Sequence, residues 1–194
     1  MSTENSIDLL LAQLTSGDEA RAEAAACSLA EVGERALPQL ETLLHSEDVD
    51  HRWWAVRTLG QMNTSRVDWL IQALADPAAE VRAAAALALA AHPEDSAAPA
   101  LARALDDEDN VVAVLAVSAL VSVGKNAVPA VLDEFPRSSQ RGRIQGMRAL
   151  AELRDHSAIP LMMKAIEEDS AMLRYWAEQG LNGLGLDMVY IKPE

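Results

Sequence analysis

Two histidines and three carboxylates crowd the stretch His45-Ser46-Glu47-Asp48-Val49-Asp50-His51, and all five are metal-ligand types. A zinc site needs a closed set of such donors, or three with an open position for catalysis. The spacing here closes no set, and acids in a turn have a plainer use as caps for the next helix. The stretch is therefore read as a solvated turn, with no metal site. Cys27 is the single cysteine. A reactive thiol needs a base or cation beside it to form the thiolate, and none stands near it in the sequence. No nucleophile–base pair and no phosphate loop occurs, so no catalytic residue and no cofactor are assigned.

Composition narrows the partners. The formal charge is −14, with 30 acidic and 16 basic residues. Gripping a phosphate backbone takes clustered Lys and Arg, so nucleic acid is not an expected partner. Adhesion to anionic membranes is opposed by the same sign. No uninterrupted apolar stretch approaches the roughly 20 residues that span a bilayer. The opening MSTENSIDLLLAQL lacks the basic and small-residue features of a signal peptide. One cysteine excludes an internal disulfide framework and suits a reducing compartment. The expectation is a cytoplasmic chain.

These side chains must be positioned by a repeat. Leu29, Leu59, Leu89, Leu120, Leu150 and Leu181 recur at intervals of 30 or 31 residues. Four positions before each stands Ala25, Ala55, Ala85, Ala116, Gly146 or Ala177, and seven before stands Arg52, Arg82, Arg143 or Arg174. Ala22 and Ala113 break the arginine column. Apolar residues fall three and four apart, as in Val81, Ala84, Ala85, Ala88 and Leu89, which is one stripe of a helix. Asp18, Asp48, Asp76-Pro77, Asp109, Ser139 and Ser170 are the predicted N-cap regions. Gly33, Asn63, Gly124 and Gly185 are the predicted left-handed C-caps, while the helix near His92 stops at Pro93. Pro38, Pro99, Pro129 and Pro160, with Asp68 in the second copy, open a shorter second helix in each repeat.

The fold class that follows is all-α: a solenoid of about six helix pairs that bury their stripes only by stacking. The chain is taken as one domain, 1–194, with no linker. An opening half-repeat over about 6–15 precedes repeats over about 17–45, 47–75, 77–106, 108–135 and 137–168. A terminal half-repeat and tail occupy 170–194. The incompletely polar Met188, Val189 and Tyr190 are expected to fold back over the last pair, or to support weak self-association of a chain that is otherwise a monomer.

The blocks DPAAEVRAAAALALA (76–90) and HRWWAVRTLGQM (51–62) resemble the phycobilisome-lyase type of HEAT-like repeat, with its Asp-Pro, Val-Arg and small-x-x-x-Leu core. That resemblance covers nearly the whole chain. It implies that the second helices line the concave face. It specifies activity loosely, because such repeats occur in bilin lyases, in scaffolds and as appendages of unrelated enzymes. A HEAT-class di-iron hydroxylase is argued against, since no His-Glu dipeptide occurs.

Aligning the prolines places two columns on that face. One contains Gln39, Trp69, Ala100, Ala130 and Leu161; the other contains Thr42, Gln72, Arg103, Asp133 and Lys164. Apolar side chains beside scattered charges describe a shallow recognition groove. The predicted binding residues are Trp69, Gln72, Ala100, Arg103, Ala130, Asp133, Leu161 and Lys164. The expected function is a non-catalytic scaffold for a protein or peptide; the alternative is a bilin lyase or tetrapyrrole-handling chaperone. Trp54 and Trp176 fall in the stripe and are expected in the core, while Trp69 lies off it. The recurring arginines are expected to tie turns of adjacent repeats together. The turn Pro136 to Arg143 carries three arginines on an otherwise acidic edge, where an anionic partner is expected to dock.

Overall fold

The computed structural model describes residues 3–63 and 66–186, and every regular element among them is helical. The helices are α1 (Thr3–Leu14), α2 (Glu19–Val32), α3 (Leu37–Leu44), α4 (Val49–Leu59), α5 (Val67–Ala73) and α6 (Ala79–Ala91). They continue as α7 (Ala98–Ala104), α8 (Asn110–Val123), α9 (Val128–Glu134), α10 (Gln140–Leu153), α11 (Ile159–Ile166) and α12 (Ala171–Gly183). Even-numbered members are the long first helices of the repeats, and odd-numbered members are the second helices, all short except α1. The tail residues Met188, Val189 and Tyr190 lie outside the described residues.

The chain divides into two compact units, the first ending at His92 and the second starting at Pro93. Within the first, α1 packs on α2, α3 on α4 and α5 on α6, while α2, α4 and α6 stack in series. Within the second, α7 packs on α8, α9 on α10 and α11 on α12, with α8, α10 and α12 in series. Each second helix thus packs on the first helix that follows it, and the first helices also pack on one another. The described helices accordingly form three pairs in each unit.

The core follows the leucine column, since Leu29, Leu59, Leu89, Leu120, Leu150 and Leu181 are all fully buried. The small residues four positions earlier are buried too, letting neighbouring helices approach. Trp54 and Trp176 depart from expectation and are only half-buried. Their position, five before the leucine, is the rim of the stripe: Ala84, Leu115 and Gln145 are half-buried there as well, and Ala24 is exposed.

Caps account for most helix ends. Asp18, Asp48, Asp109, Ser139 and Ser170 each accept backbone N–H groups at the starts of α2, α4, α8, α10 and α12. In α6 the N-cap is Ala78 instead, because Asp76 accepts the Ala78 N–H at 2.8 Å and spends its remaining lone pairs on Arg52. Gly33 and Gly124 stop α2 and α8 at φ 71° and 85° with ψ −141° and −156°, a region that only glycine occupies readily, rather than the left-handed helical one. Asn63 is not a cap, since α4 ends at Gly60. Arg154, which sequence reasoning set apart from this column, takes the left-handed conformation at the end of α10, at φ 49° and ψ 50°.

Candidate binding clefts between the second helices

Register counted from the proline positions decides which side chains face a neighbouring second helix. In the second unit, Leu132 stands three residues after Pro129 of α9. It shares a cleft of about 440 Å³ with Leu161 and Lys164, one and four residues after Pro160 of α11. Phe135, Pro136, Ser138, Arg143 and Glu168 complete the walls. In the first unit the equivalent cleft, about 300 Å³, lies between α1 and α3. Leu11 and Ala12 face Gln39, Thr42 and Leu43 there, with Thr15 and His51 at one end. The buried Oε1 of Gln39 has no hydrogen-bond partner among the described residues.

Of the eight residues predicted to bind, the structure brings Leu161 and Lys164 together in one cleft. Ala130 is half-buried on α9, and Ala100 is buried on α7. Arg103 is exposed. Asp133 is exposed and bound to Arg137 at 2.8 Å; that guanidinium holds its carboxyl below the usual carboxylate range. Trp69 and Gln72 belong to α5 of the first unit. Gln72 is exposed, while Trp69 is half-buried under the Arg66 guanidinium, 4.3 Å from the ring centroid. Arg66 is fixed in turn by two bonds to Asp68, at 2.9 and 2.7 Å. Leu11 and Leu132 are wall residues that sequence reasoning passed over. Their shared register, three after Pro129 in α9 and three after Asp8, the matching position in α1, is the signal that marks them.

Each arginine of the basic turn has an internal partner. Arg137 is held by Asp133, Arg141 donates to the Glu108 carbonyl at 3.1 Å, and Arg143 pairs with Glu168 at 2.5 Å. Arg143 also stands over Phe135, 5.0 Å from its centroid, which stiffens the cleft wall.

Two of the recurring arginines, Arg52 and Arg143, tie turns of adjacent repeats together, and Arg82 binds carbonyls of the turn before its own helix. Arg52 donates to the Ser46 and Glu47 carbonyls and to Asp76, Arg82 to the Asp76 and Pro77 carbonyls, and Arg143 to Glu168. Arg174 in α12 is exposed. In the stretch from His45 to His51, Asp48 caps α4, His45 Nδ1 lies 2.8 Å from the Glu41 carbonyl and His51 Nδ1 lies 3.3 Å from Ser46 Oγ. Among the described residues no three His, Cys, Asp or Glu side chains converge as metal ligands would. Cys27 is exposed, and His92 is half-buried with Nε2 3.0 Å from the Gly60 carbonyl. Among the described residues no single helix is long and apolar enough to cross a membrane.

Known proteins share these features. The family described as HEAT repeats matches residues 7–68 and 67–145, and the PBS lyase HEAT-like repeat matches residues 143–168. The phycobilisome maturation protein of Synechococcus elongatus is 36% identical over 102 residues, which is 52% of this chain and 48% of that protein. The match thus spans about half of the relative's length. Among solved structures, the complex of CpcE and CpcF of phycocyanin lyase from Nostoc sp. PCC7120 is similar with a TM-score of 0.53 and 25% identity, over 92% of this chain and 77% of that one. The archaeal HEAT-like repeats protein from Thermococcus onnurineus NA1 gives a TM-score of 0.61 at 17% identity, over 95% of this chain and 80% of that one, a likeness of fold alone. With a leucine column buried in every copy and the family matched from residue 7 to 145, the chain belongs to the HEAT-repeat family and carries a repeat of the PBS lyase HEAT-like type.

Proposed function

We propose that this chain is a lyase-related HEAT-repeat module that engages a tetrapyrrole, or the protein destined to carry one, along its second helices. The observation supporting it is the combined likeness to a phycobilisome maturation protein and to the CpcE–CpcF complex of a phycocyanin lyase. The α9–α11 cleft suits part of such a ligand. Leu132, Phe135 and Leu161 offer apolar walls to a conjugated ring system, and the exposed Lys164 ammonium stands at the rim where a carboxylate side chain would lie. No residue of this chain is assigned a catalytic role. The module is read as a cytoplasmic monomer that works with a protein partner, without nucleic acid or membrane.

The test is absorbance of phycocyanobilin mixed with the chain, alone and with a phycobiliprotein apo-subunit. The expected result is a sharpened, red-shifted long-wavelength band that Leu161→Ala and Lys164→Glu each weaken. An unchanged spectrum in both mixtures would remove the tetrapyrrole reading.

The second reading is a non-catalytic scaffold for a protein or peptide. It is favoured by the equivalent register of the α1–α3 and α9–α11 clefts, the first of which Gln39 lines. Gln39→Leu should then reduce recovery of the native partner in co-purification; recovery equal to wild type would count against it.

A further inference from the structure

Adjacent residues on a helix point about 100° apart, so two large side chains at consecutive positions frame a corner. Trp53 and Trp54 do this in α4, with ring centroids 4.8 Å apart and planes at 87°. Both are half-buried and line a cleft of about 410 Å³ in the first unit, at the end of α1 and the starts of α2 and α4. The fully buried Leu14 closes its floor. Three carboxylates line it as well: Glu19, Asp48 and Asp50, all exposed. None of the lining residues is Lys or Arg.

Aromatic faces attract cations within about 6 Å of the ring centroid. Elsewhere this chain supplies the cation itself: Arg66 stands over Trp69, Arg143 over Phe135 and Arg148 over Trp176. Among the described residues no guanidinium stands over Trp53 or Trp54. Two helix N-termini border the cleft and oppose a cation, at about half a positive charge each. Three carboxylates outweigh that, and the net charge of −14 adds long-range attraction.

We propose that the Trp53–Trp54 cleft is a docking site for an arginine side chain of a protein partner, with the guanidinium over an indole face and its N–H groups donating to Glu19 and Asp50. The occupant is an arginine because that group fills the equivalent role at three other rings of this chain and offers a planar fork to carboxylates. This site adjoins the α1–α3 cleft, with which it shares Thr15 and His51, and it stands whether or not a tetrapyrrole binds between α9 and α11.

The experiment titrates the intact chain with a capped Gly-Arg-Gly tripeptide and follows the tryptophan indole N–H resonances by NMR, assigned by single Trp→Phe variants. The expected result is saturable shifts of Trp53 and Trp54 without comparable movement of Trp69 or Trp176. Binding should weaken at least fivefold in the Glu19→Gln, Asp50→Asn double variant, whose surface changes leave the helical circular dichroism intact. It should also weaken as salt is raised to about 0.5 M, where exposed charges are screened. Equal shifts with capped Gly-Glu-Gly or triglycine would overturn the proposal, as would wild-type affinity in the double variant. Tighter binding of tetramethylammonium than of the arginine tripeptide would overturn it too, assigning the corner to a small quaternary ammonium ion.

Discussion

Arg52 and Asp76 are joined at two points, Nε to Oδ2 at 2.7 Å and Nη2 to Oδ1 at 2.9 Å, with each side chain about nine-tenths buried. The same guanidinium reaches back to the Ser46 and Glu47 carbonyls, so one side chain fastens the turn before α4 to the turn before α6. Removing one partner of a buried ion pair leaves an uncompensated charge, which typically costs 3–5 kcal/mol. Because this pair lies at the rim of two turns, Arg52→Met or Asp76→Asn should each cost about 3 kcal/mol. The double variant should cost clearly less than the sum, because each change orphans the same partner. Denaturant unfolding of the four proteins checks this, and strict additivity would exclude the coupling.

Acid sensitivity follows from the same turns. Burial raises the Asp76 carboxyl, but the Arg52 bonds, the Ala78 N–H and the neighbouring guanidinium charges outweigh it and hold the group below the usual carboxylate range. Burial likewise opposes ionisation of Asp106, and the Ser139 hydroxyl and N–H with the Gly142 N–H reverse the balance. A depressed folded-state value stabilises the fold above the unfolded value of about 3.9 and loses that contribution as pH falls through the folded value. Stability should therefore be level near neutrality and decline below about pH 4. Asp76→Asn should flatten that decline. A variant with an acid limb as steep as wild type would show that Asp76 contributes nothing to it.

Stripes and caps were legible in the sequence because they are local. Leu59 announces itself by its neighbours at three and four residues, and Asp109 by its place before an apolar run. The arginine column could be read as turn ties because it recurs at one position of the repeat, although the Asp76 acceptor of Arg52 lies 24 residues away. Asn63 misled because α4 ends earlier, at Gly60, where a Cβ would meet the Ala88 Cβ at 2.9 Å. Trp54 misled because a stripe pattern does not tell its centre from its rim. The internal partners of the basic turn were not legible because the acceptors of Arg141 and Arg143 lie 33 and 25 residues away. The clefts were half legible: Leu161 and Lys164 follow from register, but which second-helix neighbours stand far enough apart to leave space depends on packing.

Gly142 and Gly146 separate packing from helix propensity. A Cβ on Gly142 would lie 2.6 Å from the Asp106 Cβ and Cγ, displacing the carboxylate that accepts from Ser139. Replacing glycine by alanine in a helix gains about 1 kcal/mol, while overpacking costs about 1–3 kcal/mol. With the Asp106–Ser139 hydrogen bonds broken as well, Gly142→Ala should be a net destabilisation of about 2 kcal/mol. A Cβ on Gly146 comes closest to Phe135, at 3.2 Å, so a few tenths of an ångström of ring movement accommodate it. Gly146→Ala should leave stability within about 1 kcal/mol of wild type. Paired melting curves decide the matter, and equal effects at the two positions would contradict the contact geometry.

Trp69 is the remaining large aromatic on a second helix, and its half-burial under Arg66 sets the expectation. Emptying a fully buried tryptophan site costs about 3–5 kcal/mol, whereas surface changes usually stay within about 0.5 kcal/mol. Trp69→Ala should fall between, at about 2 kcal/mol. Arg66→Ala should barely move the melting temperature, since Arg66 and Asp68 are partners in solvent. It should nevertheless uncover the indole face. In a protein whose other tryptophans are phenylalanine, acrylamide should then quench Trp69 more strongly than it does with Arg66 present. A neutral quencher is required, because removing a positive charge would also weaken the attraction of iodide and confuse the comparison. Quenching unchanged by Arg66→Ala would mean that the guanidinium does not cover the ring in solution. In that case Trp69 would already present its face to a partner without displacing anything.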